Sequence, residues 1–86
     1  MKSNDRKTAI VTGAAGGIGR LLVQSVLDAG YQVGALDKDE GRLEELLEGL
    51  TAEGRGDSVF SCHLDIADEI ACNRAVDDVV GRFGRL

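Results

Sequence analysis

Short apolar runs alternate with amphipathic stretches along the chain, and each pair has the spacing of a strand followed by a helix. A nearly continuous apolar run predicts a buried parallel strand over residues 7–12. Residues 17–29 carry apolar side chains at helical spacing and predict a first helix, which Gly30 can end in the left-handed conformation. The predicted buried face of this helix consists of Ile18, Leu21, Leu22, Val26 and Ala29.

The same alternation occurs twice more. It predicts strands over residues 31–37 and 58–64, with a turn over residues 51–57. Asp39 can cap a second helix, and Asp68 with Glu69 can open a third helix that ends at Gly84. The expected apolar faces are Leu43, Leu46, Leu47 and Leu50 in the second helix, and Val76, Val79, Val80 and Phe83 in the third.

The βαβαβα order predicts an α/β fold with a three-stranded parallel sheet. Because crossovers between parallel strands are right-handed, the strands should lie in the order 3-2-1. The first two helices should then cover one face of the sheet, and the third helix should cover the other.

Composition and charge narrow the class of protein. The chain has 86 residues, 43% hydrophobic and 29% charged, which fits one small globular domain. Its net charge of −5 and its scattered lysines and arginines predict no nucleic-acid partner. No apolar run reaches the roughly 18 residues of a membrane span, and the first residues lack a secretion-type apolar segment, so we expect a cytoplasmic protein without membrane contact.

Cysteine and histidine usage offers little chemistry. Cys62 and Cys72 have neither metal-ligand nor redox spacing, and His63 beside Cys62 does not complete a zinc site. We therefore predict that both cysteines are small core residues. His63 is predicted to be a core histidine of the third strand rather than a general base.

Glycines cluster between the first strand and the first helix, in the stretch Thr12-Gly13-Ala14-Ala15-Gly16-Gly17-Ile18-Gly19. Glycine lets such a loop turn sharply and bring bare backbone N–H groups close to phosphate oxygens. Arg20 follows Gly19 where a Walker loop continues with lysine, so a mononucleotide triphosphatase is excluded. The stretch predicts a loop for a dinucleotide pyrophosphate, and the alternative is a glycine-rich turn without a ligand.

Acidic residues end the second and third predicted strands. Asp37 follows Gly19 by eighteen residues, near the spacing of about 20 at which a carboxylate accepts hydrogen bonds from an adenosine ribose. It would also repel a 2′-phosphate, and Lys38 beside it would offset part of that repulsion. Asp65 can either contact a ligand or cap the turn into the third helix. Ligands bind at the carboxyl ends of parallel strands, so these features are expected to share one crevice.

The stretch from Thr12 to Gly19 resembles the short-chain dehydrogenase/reductase family, in which Thr-Gly-x-x-x-Gly-Ile-Gly joins the first strand to the first helix. The resemblance implies a partial Rossmann fold, with residues 1–86 as the N-terminal half of a dinucleotide-binding domain. It also implies that Gly13 makes the turn, that Gly17 and the Ile18 N–H face the pyrophosphate, and that Gly19 lets the helix pack closely. The implied cofactor-binding residues are Gly13, Ala15, Gly16, Gly17, Ile18, Gly19, Asp37, Lys38, Asp65 and Ile66.

In the family, the residues matching Asp65 and Ile66 contact the adenine ring. Relatives that prefer NADP often carry a basic residue at the position of Gly16, so the resemblance, together with Asp37, favours NAD over NADP. Relatives also carry a later Asn-Asn-Ala-Gly element, a catalytic serine and a Tyr-x-x-x-Lys pair. The single tyrosine here is Tyr31, with Ala35 four residues later, so no catalytic residue is predicted.

The function expected from these residues is binding of the adenosine-pyrophosphate half of NAD in a fragment of a short-chain dehydrogenase/reductase. One alternative is a non-catalytic oligomerising or interaction module with a vestigial nucleotide site. Another is a fragment of an S-adenosylmethionine-dependent methyltransferase. The first strand would be an exposed sheet edge, so a homo-oligomer is expected through this edge or through the last helix.

Overall fold

The structure, a computed structural model, describes residues 6–84 of the chain. Strands and helices alternate along it as the sequence predicts. The strands are β1 (Thr8–Thr12), β2 (Gln32–Asp37) and β3 (Val59–His63), and the helices are α1 (Gly17–Asp28), α2 (Glu40–Ala52) and α3 (Glu69–Phe83). In the range 6–84, no helix has the length and apolar character needed to cross a bilayer.

The strand ends and the end of α1 lie within one residue of the predicted bounds, and the larger difference is at the end of α2. The helix α2 runs through Ala52 into the stretch predicted as a turn, and the turn is completed at Gly54, which has φ +81°. A short 3-10 helix at Gly56–Ser58 then leads into β3. The helix extends because the left-handed glycine that can end it comes only at position 54.

The three strands form one parallel sheet with β2 at its centre. Gly34 occupies the middle of β2, opposite Ile10 of β1 and Phe60 of β3. The predicted α/β architecture and the predicted 3-2-1 strand order are therefore confirmed.

The main core lies between the sheet and the first two helices. Alternate side chains of a strand point to one face, and on this face Val11, Val33 and Val59 meet the helices. The helical residues of this core are Val23 and Leu27 from α1, with Leu43, Leu46 and Leu50 from α2. Leu47 packs partly buried against it, so the predicted apolar face of α2 is confirmed.

The third helix covers the opposite face of the sheet, as predicted, and approaches β2 at Gly34. A Cβ atom on Gly34 would lie 2.6 Å from Cγ2 of Val79, so this close approach requires a residue without a side chain. Val79 and Phe83 are buried on this face together with Ala75. The remaining predicted face residues, Val76 and Val80, are partly buried.

The predicted buried face of α1 is wrong. Ile18, Leu21 and Leu22 are exposed, with relative accessibilities of 84%, 71% and 49%. Ala29 is also exposed, while Val26 is partly buried against the core. The side chains that point inward are Val23 and Leu27.

The cause lies in the composition of α1, which carries apolar residues around most of its circumference, so that helical spacing alone is satisfied by two faces. The choice is made at Gly19, which must face the start of the glycine loop. Val23, four residues later, lies on the same side of the helix and therefore turns toward the core.

The contact between Gly34 and Val79 can be tested with the Gly34→Ala variant. We expect it to lower the free energy of unfolding by about 1–3 kcal/mol, because the added methyl overpacks a filled interface. Urea unfolding of Gly34→Ala should show this loss, and Val79→Ala in the same chain should restore part of it. The control is Gly49→Ala on α2, where a Cβ meets no atom within 4 Å and should be neutral or stabilising. An equal loss of unfolding free energy in Gly34→Ala and Gly49→Ala would contradict the packing argument.

Candidate functional site

The ends of the three strands are joined by backbone hydrogen bonds around the end of β2. The N–H of Ala14 donates to the carbonyl of Leu36 at 3.1 Å, so the loop after β1 stays attached to β2. The N–H of Leu64 donates to the carbonyl of Asp37 at 3.0 Å, so the chain after β3 is attached there too. The loops that leave the sheet at this edge therefore start from fixed positions.

Two glycines of the loop are required by its backbone. Gly13 has φ +63°, a left-handed conformation that other residues rarely adopt. A Cβ on Gly19 would lie 2.7 Å from the carbonyl carbon of Gly13 and 2.9 Å from Cα of Ala14, where only rigid backbone could give way. Gly19 thus lets the first turn of α1 pack directly on the loop.

Gly17 has a different environment, because a Cβ at this position would meet no atom within 4 Å. It is exposed at the start of α1, next to Gly16, whose N–H donates to the carbonyl of Gly13 at 3.1 Å. Nothing inside the described part of the fold requires a glycine at position 17. The open space over this residue is what an approaching ligand would need.

The N-terminus of α1 differs from those of the other two helices in its capping and its charge. The helices α2 and α3 are capped by the side chains of Asp39 and Asp68, and each has a glutamate in its first turn. In contrast, α1 begins at Gly16 with neither a side-chain cap nor an acidic residue in its first turn. The first N–H groups of a helix have no acceptor within the helix, so those of Gly17 and Ile18 remain available to a ligand.

Asp37, the last residue of β2, is hydrogen-bonded through both carboxylate oxygens. Its Oδ2 accepts the N–H of Ala15 at 3.0 Å, and its Oδ1 accepts the N–H of Asp39 at 2.8 Å. The first bond holds the glycine loop and the second holds the turn into α2. One carboxylate therefore fixes two walls of the crevice.

The same contacts keep Asp37 ionised. Burial raises the pKa of this carboxyl, but backbone donors and a nearby cation outweigh that effect, so the pKa of Asp37 lies below its ordinary value. The donors are the N–H groups of Asp39, Ala15 and Lys38, and the cation is Arg42. A fixed negative charge therefore stands at the rim of the crevice at neutral pH.

A crevice of about 220 Å³ lies between the three strand ends. Its lining residues are Gly13, Asp37, Lys38, Leu64, Asp65 and Ile66. Complete ligand pockets are commonly about 300–1,000 Å³, so this volume suits one part of a larger molecule. Leu64 was not predicted from the sequence as a site residue, although its position at the end of β3 could have identified it.

The remaining predicted site residues surround the crevice without lining it. Ala15 is buried, with 2% accessibility, and its N–H is already bound to Asp37, so it supports the loop from behind. Gly16 and Gly19 likewise shape the loop, whereas Gly17 and Ile18 form its exposed rim.

Both sequence interpretations of Asp65 have a basis in the structure. Its Oδ1 accepts the N–H of Ala67 at 2.9 Å, which stabilises the turn before α3. The residue also lines the crevice beside Ile66, whose side chain is 60% accessible. The cap of α3 itself is Asp68, so Asp65 is not needed for that role.

His63 is not the core histidine that the sequence predicts. It is the last residue of β3, its side chain is 51% accessible, and its Nε2 lies 3.0 Å from the carbonyl of Lys38. A carbonyl can only accept, so Nε2 carries the proton in this contact. The other ring nitrogen, Nδ1, lies 3.7 Å from a carboxylate oxygen of Glu40. His63 shares a side of the sheet with the buried Val59, but it stands at the last position of β3, beside Glu40 at the start of α2, and stays exposed there.

The two cysteines are only partly buried, and both are free thiols. Cys62 lines a larger groove of about 350 Å³ between β3 and α3, where burial and the charge of Asp78 raise the pKa of its thiol. A raised pKa disfavours the reactive thiolate. Residues 6–84 contain no group of three potential metal ligands. The smaller crevice, where the strand ends and the glycine loop meet, is therefore the candidate site.

Comparison with known proteins identifies the family. The sequence profile described as short chain dehydrogenase matches residues 7–86. The chain belongs to the short-chain dehydrogenase family. A short chain dehydrogenase/reductase of Macrophomina phaseolina is 36% identical over 77 residues, which cover 90% of this chain and 43% of that protein.

Solved structures have the same fold. A short chain dehydrogenase/reductase from Burkholderia phymatum, in complex with NAD, superposes with a TM-score of 0.87 and 28% identity over 100% of this chain and 30% of its own. The glucose dehydrogenase of Caenorhabditis elegans gives a TM-score of 0.85 and 30% identity over 93% and 34%. The chain thus spans less than half the length of each of these three proteins.

The role of Asp37 can be tested with Asp37→Asn. An amide offers one acceptor oxygen to two N–H donors, so we expect a loss of about 1–3 kcal/mol in the free energy of unfolding at neutral pH. In the wild type, the lowered pKa makes this stabilisation complete above the unfolded value of about 3.9 and removes it as the pH falls through the folded value.

Denaturant unfolding at a series of pH values measures both effects. The free energy of unfolding of Asp37→Asn should fall less steeply with acid than that of the wild type. Asp77→Asn, which changes an exposed carboxylate on α3, is the matched control and should retain the wild-type slope. Parallel wild-type and Asp37→Asn curves would show that the carboxylate does not hold the loop.

Proposed function

We propose that the chain binds the adenosine-pyrophosphate half of a nicotinamide dinucleotide, with NAD preferred. The observation that carries the proposal is the meeting of three features at one edge of the sheet. These are an uncapped helix behind an open glycine, an ionised carboxylate at the end of β2, and the crevice closed by the end of β3. The nicotinamide ring of bound NAD supplies the hydride acceptor of a dehydrogenase. The residues at this edge of the sheet would hold the adenosine-pyrophosphate half of NAD.

The adenosine would lie in the crevice next to Asp37. A carboxylate has about four lone-pair positions, and the two N–H groups bound by Asp37 occupy only part of them. The remaining positions can accept the ribose hydroxyls without breaking the contacts that hold the loop. Asp65 and Ile66 line the far side of the crevice, where the adenine would lie.

The pyrophosphate would lie over Gly17, at the start of α1. Its charge is favoured there by the helix dipole and by the unpaired N–H groups of the first turn. Since no residue of that turn is acidic, the chain can bind an anion locally despite its overall charge of −5.

The preference for NAD rests on the charge of Asp37. A 2′-phosphate on the ribose would approach this fixed carboxylate, and like charges at short range repel strongly where water is partly excluded. Lys38 and Arg42 reduce the repulsion, but neither replaces the carboxylate at the rim. Gly16 adds no cation.

We assign no proton-transfer role in a dehydrogenase reaction to Tyr31 or His63. Tyr31 lies just before β2, at the opposite end of the sheet from the crevice. The ring of His63 faces the carbonyl of Lys38 and the carboxylate of Glu40 rather than the crevice. The proposal for this chain is therefore binding, without a catalytic role for any residue.

The sequence left two other functions open. The methyltransferase alternative has no support in the family match, whose relatives are short-chain dehydrogenases. An interaction module with a vestigial site would bind no nucleotide, so a nucleotide titration distinguishes it from a binding domain.

The binding proposal predicts that the 86-residue chain binds ADP-ribose weakly, because part of the natural ligand is missing. In an NMR titration, the amide signals of Gly17 and Ile18 should shift on addition of millimolar ADP-ribose. The analogue with a 2′-phosphate should bind about tenfold more weakly, which corresponds to about 1.4 kcal/mol. A folded chain whose spectrum does not change with ADP-ribose would refute the proposal.

The Gly17→Ala variant separates binding from folding. Its methyl would enter open space, so the free energy of unfolding should stay near that of the wild type. The same methyl would occupy the approach of the pyrophosphate and should weaken ADP-ribose binding at least tenfold. Gly49→Ala, which is distant in sequence from the loop, serves as the control for glycine replacement. Unchanged affinity in Gly17→Ala would place the ligand elsewhere.

We also propose that the isolated chain self-associates along β1. Within residues 6–84 this strand is hydrogen-bonded to β2 on one side only, which leaves a row of backbone groups without a partner among those residues. The alternative surface expected from the sequence, the apolar face of α3, is partly used inside the fold, where Val79 and Phe83 are buried. The edge of β1 is therefore the surface that we assign to a second copy.

This second proposal predicts a dimer or larger oligomer at micromolar concentration. Light scattering gives the mass, and Ile10→Pro removes one backbone donor of β1 at the middle of the strand. Ile10→Val keeps the donor and an apolar β-branched side chain, so it serves as the comparison and should retain the wild-type mass, whereas Ile10→Pro should lower it. A monomeric wild-type chain would overturn the proposal.

A further inference from the structure

Arg20, in the first turn of α1, makes contacts that neither the family match nor the proposed binding mode assigns. Its Nε donates to the carbonyl of Ala15 at 3.0 Å. Its Nη2 lies 3.5 Å from the carbonyl of Arg42 and 3.5 Å from Oε1 of Glu45, both on α2. One guanidinium thus connects the glycine loop to the first turns of α2.

The contact with Ala15 completes the fixation of the loop. The N–H of Ala15 is held by Asp37, and its carbonyl is held by Arg20, so both peptides that flank this residue are fixed. The peptide after Ala15 is also held at its other end, because the N–H of Gly16 donates to the carbonyl of Gly13. Gly16 is the N-cap residue of α1. The orientation of the Ala15–Gly16 peptide therefore sets the direction in which the first N–H groups of the helix point.

We propose that Arg20 is a positioning residue for nucleotide binding, which orients the Ala15–Gly16 peptide and through Ala15 keeps the loop in register with Asp37. The nucleotide part of this inference rests on the proposed function. The part that concerns the loop does not, because it can be measured without a ligand.

Direct binding of the pyrophosphate by Arg20 is the competing explanation. The side chain lies in the groove between α1 and α2, together with Gln24 and Glu53, and does not line the crevice. Its Nε is directed at the carbonyl of Ala15, and its Nη2 is directed at α2, away from the crevice. These contacts favour action through the backbone over a direct ion pair with the ligand.

The geometry also explains why arginine is used. A planar guanidinium donates in several fixed directions, so Nε can hold the loop while Nη2 reaches α2. Lysine carries the same charge on a single flexible ammonium and cannot hold both positions. Arg20→Lys therefore removes the positioning while it keeps the charge.

The chain offers a matched control in Arg55. This residue joins α1 to the turn after α2, since its Nη1 donates to Oε1 of Gln24 at 3.2 Å and its Nη2 pairs with Asp28. Like Arg20, it connects α1 with the α2 region, but it does so near the C-terminal ends of the two helices. Arg55→Ala removes the contacts with Gln24 and Asp28 and should lower the free energy of unfolding. It should leave the glycine loop unchanged.

Amide hydrogen exchange at neutral pH tests the positioning directly. In Arg20→Ala and Arg20→Lys, the Ala15 amide should exchange about tenfold faster relative to the core amide of Val33 than in the wild type. In Arg55→Ala, this ratio should stay at its wild-type value. If the ratio is unchanged in both Arg20 variants, Arg20 does not position the loop and the inference is wrong.

A second readout is the titration of Asp37, followed through its carboxyl carbon signal. Arg20→Lys keeps the positive charge at this position, so a change in the pKa of Asp37 in this variant would not come from a lost charge. A higher pKa of Asp37 in Arg20→Lys would report a weakened bond to Ala15. An unchanged pKa of Asp37 would count against the proposed link between the two residues.

ADP-ribose affinity completes the experiment. We expect both Arg20 variants to bind about tenfold more weakly than the wild type and Arg55→Ala to bind equally well. Full rescue of affinity by lysine would assign Arg20 to direct charge attraction and overturn the positioning role. If the wild type binds no ADP-ribose, the proposed function fails, while the exchange ratio still decides the loop inference.

Discussion

The hydrogen bond from the Ala15 N–H to Asp37 is the contact on which the candidate site depends. It joins the loop after β1 to the end of β2, and the second oxygen of the same carboxylate holds the turn into α2. Bonds to a charged acceptor are stronger than those between neutral groups, by roughly a factor of two. In the proposed binding mode, folding and ligand recognition would share this carboxylate through different lone pairs, so a ribose would not have to compete with the loop for Asp37.

The helix α1 lacks a stabilising side-chain cap that the other two helices have. Asp39 and Asp68 cap α2 and α3, and such a cap contributes about 1 kcal/mol. At α1, Gly16 provides no side-chain acceptor, although an aspartate or serine at that position would satisfy an N–H of the first turn. A small domain has little stability to spare, so an uncapped helix next to a sterically open Gly17 is explained better by a ligand than by folding.

Features governed by local rules could be predicted from the sequence. Gly13, Gly30 and Gly84 adopt positive φ where the chain must turn, and Asp39 and Asp68 cap the helices assigned to them. The meeting of Asp37 and Asp65 at one crevice was also predictable, because the carboxyl ends of parallel strands share an edge.

The failures concern tertiary contacts that leave no periodic signal. The buried side of α1 is chosen by the contact of Gly19 with the loop, and no spacing of apolar residues encodes that contact. His63 is exposed at the end of β3, where its ring meets the carbonyl of Lys38, and the pairing of Arg20 with Ala15 depends on how a guanidinium folds back over its own helix. Binding geometry at the strand ends is thus predictable from element order, whereas the residues that support it from behind require side-chain positions. Under the proposed function, those supporting contacts would orient the backbone N–H groups at the start of α1 toward one anion, so the affinity of this chain would depend on the residues behind the crevice as well as on its lining.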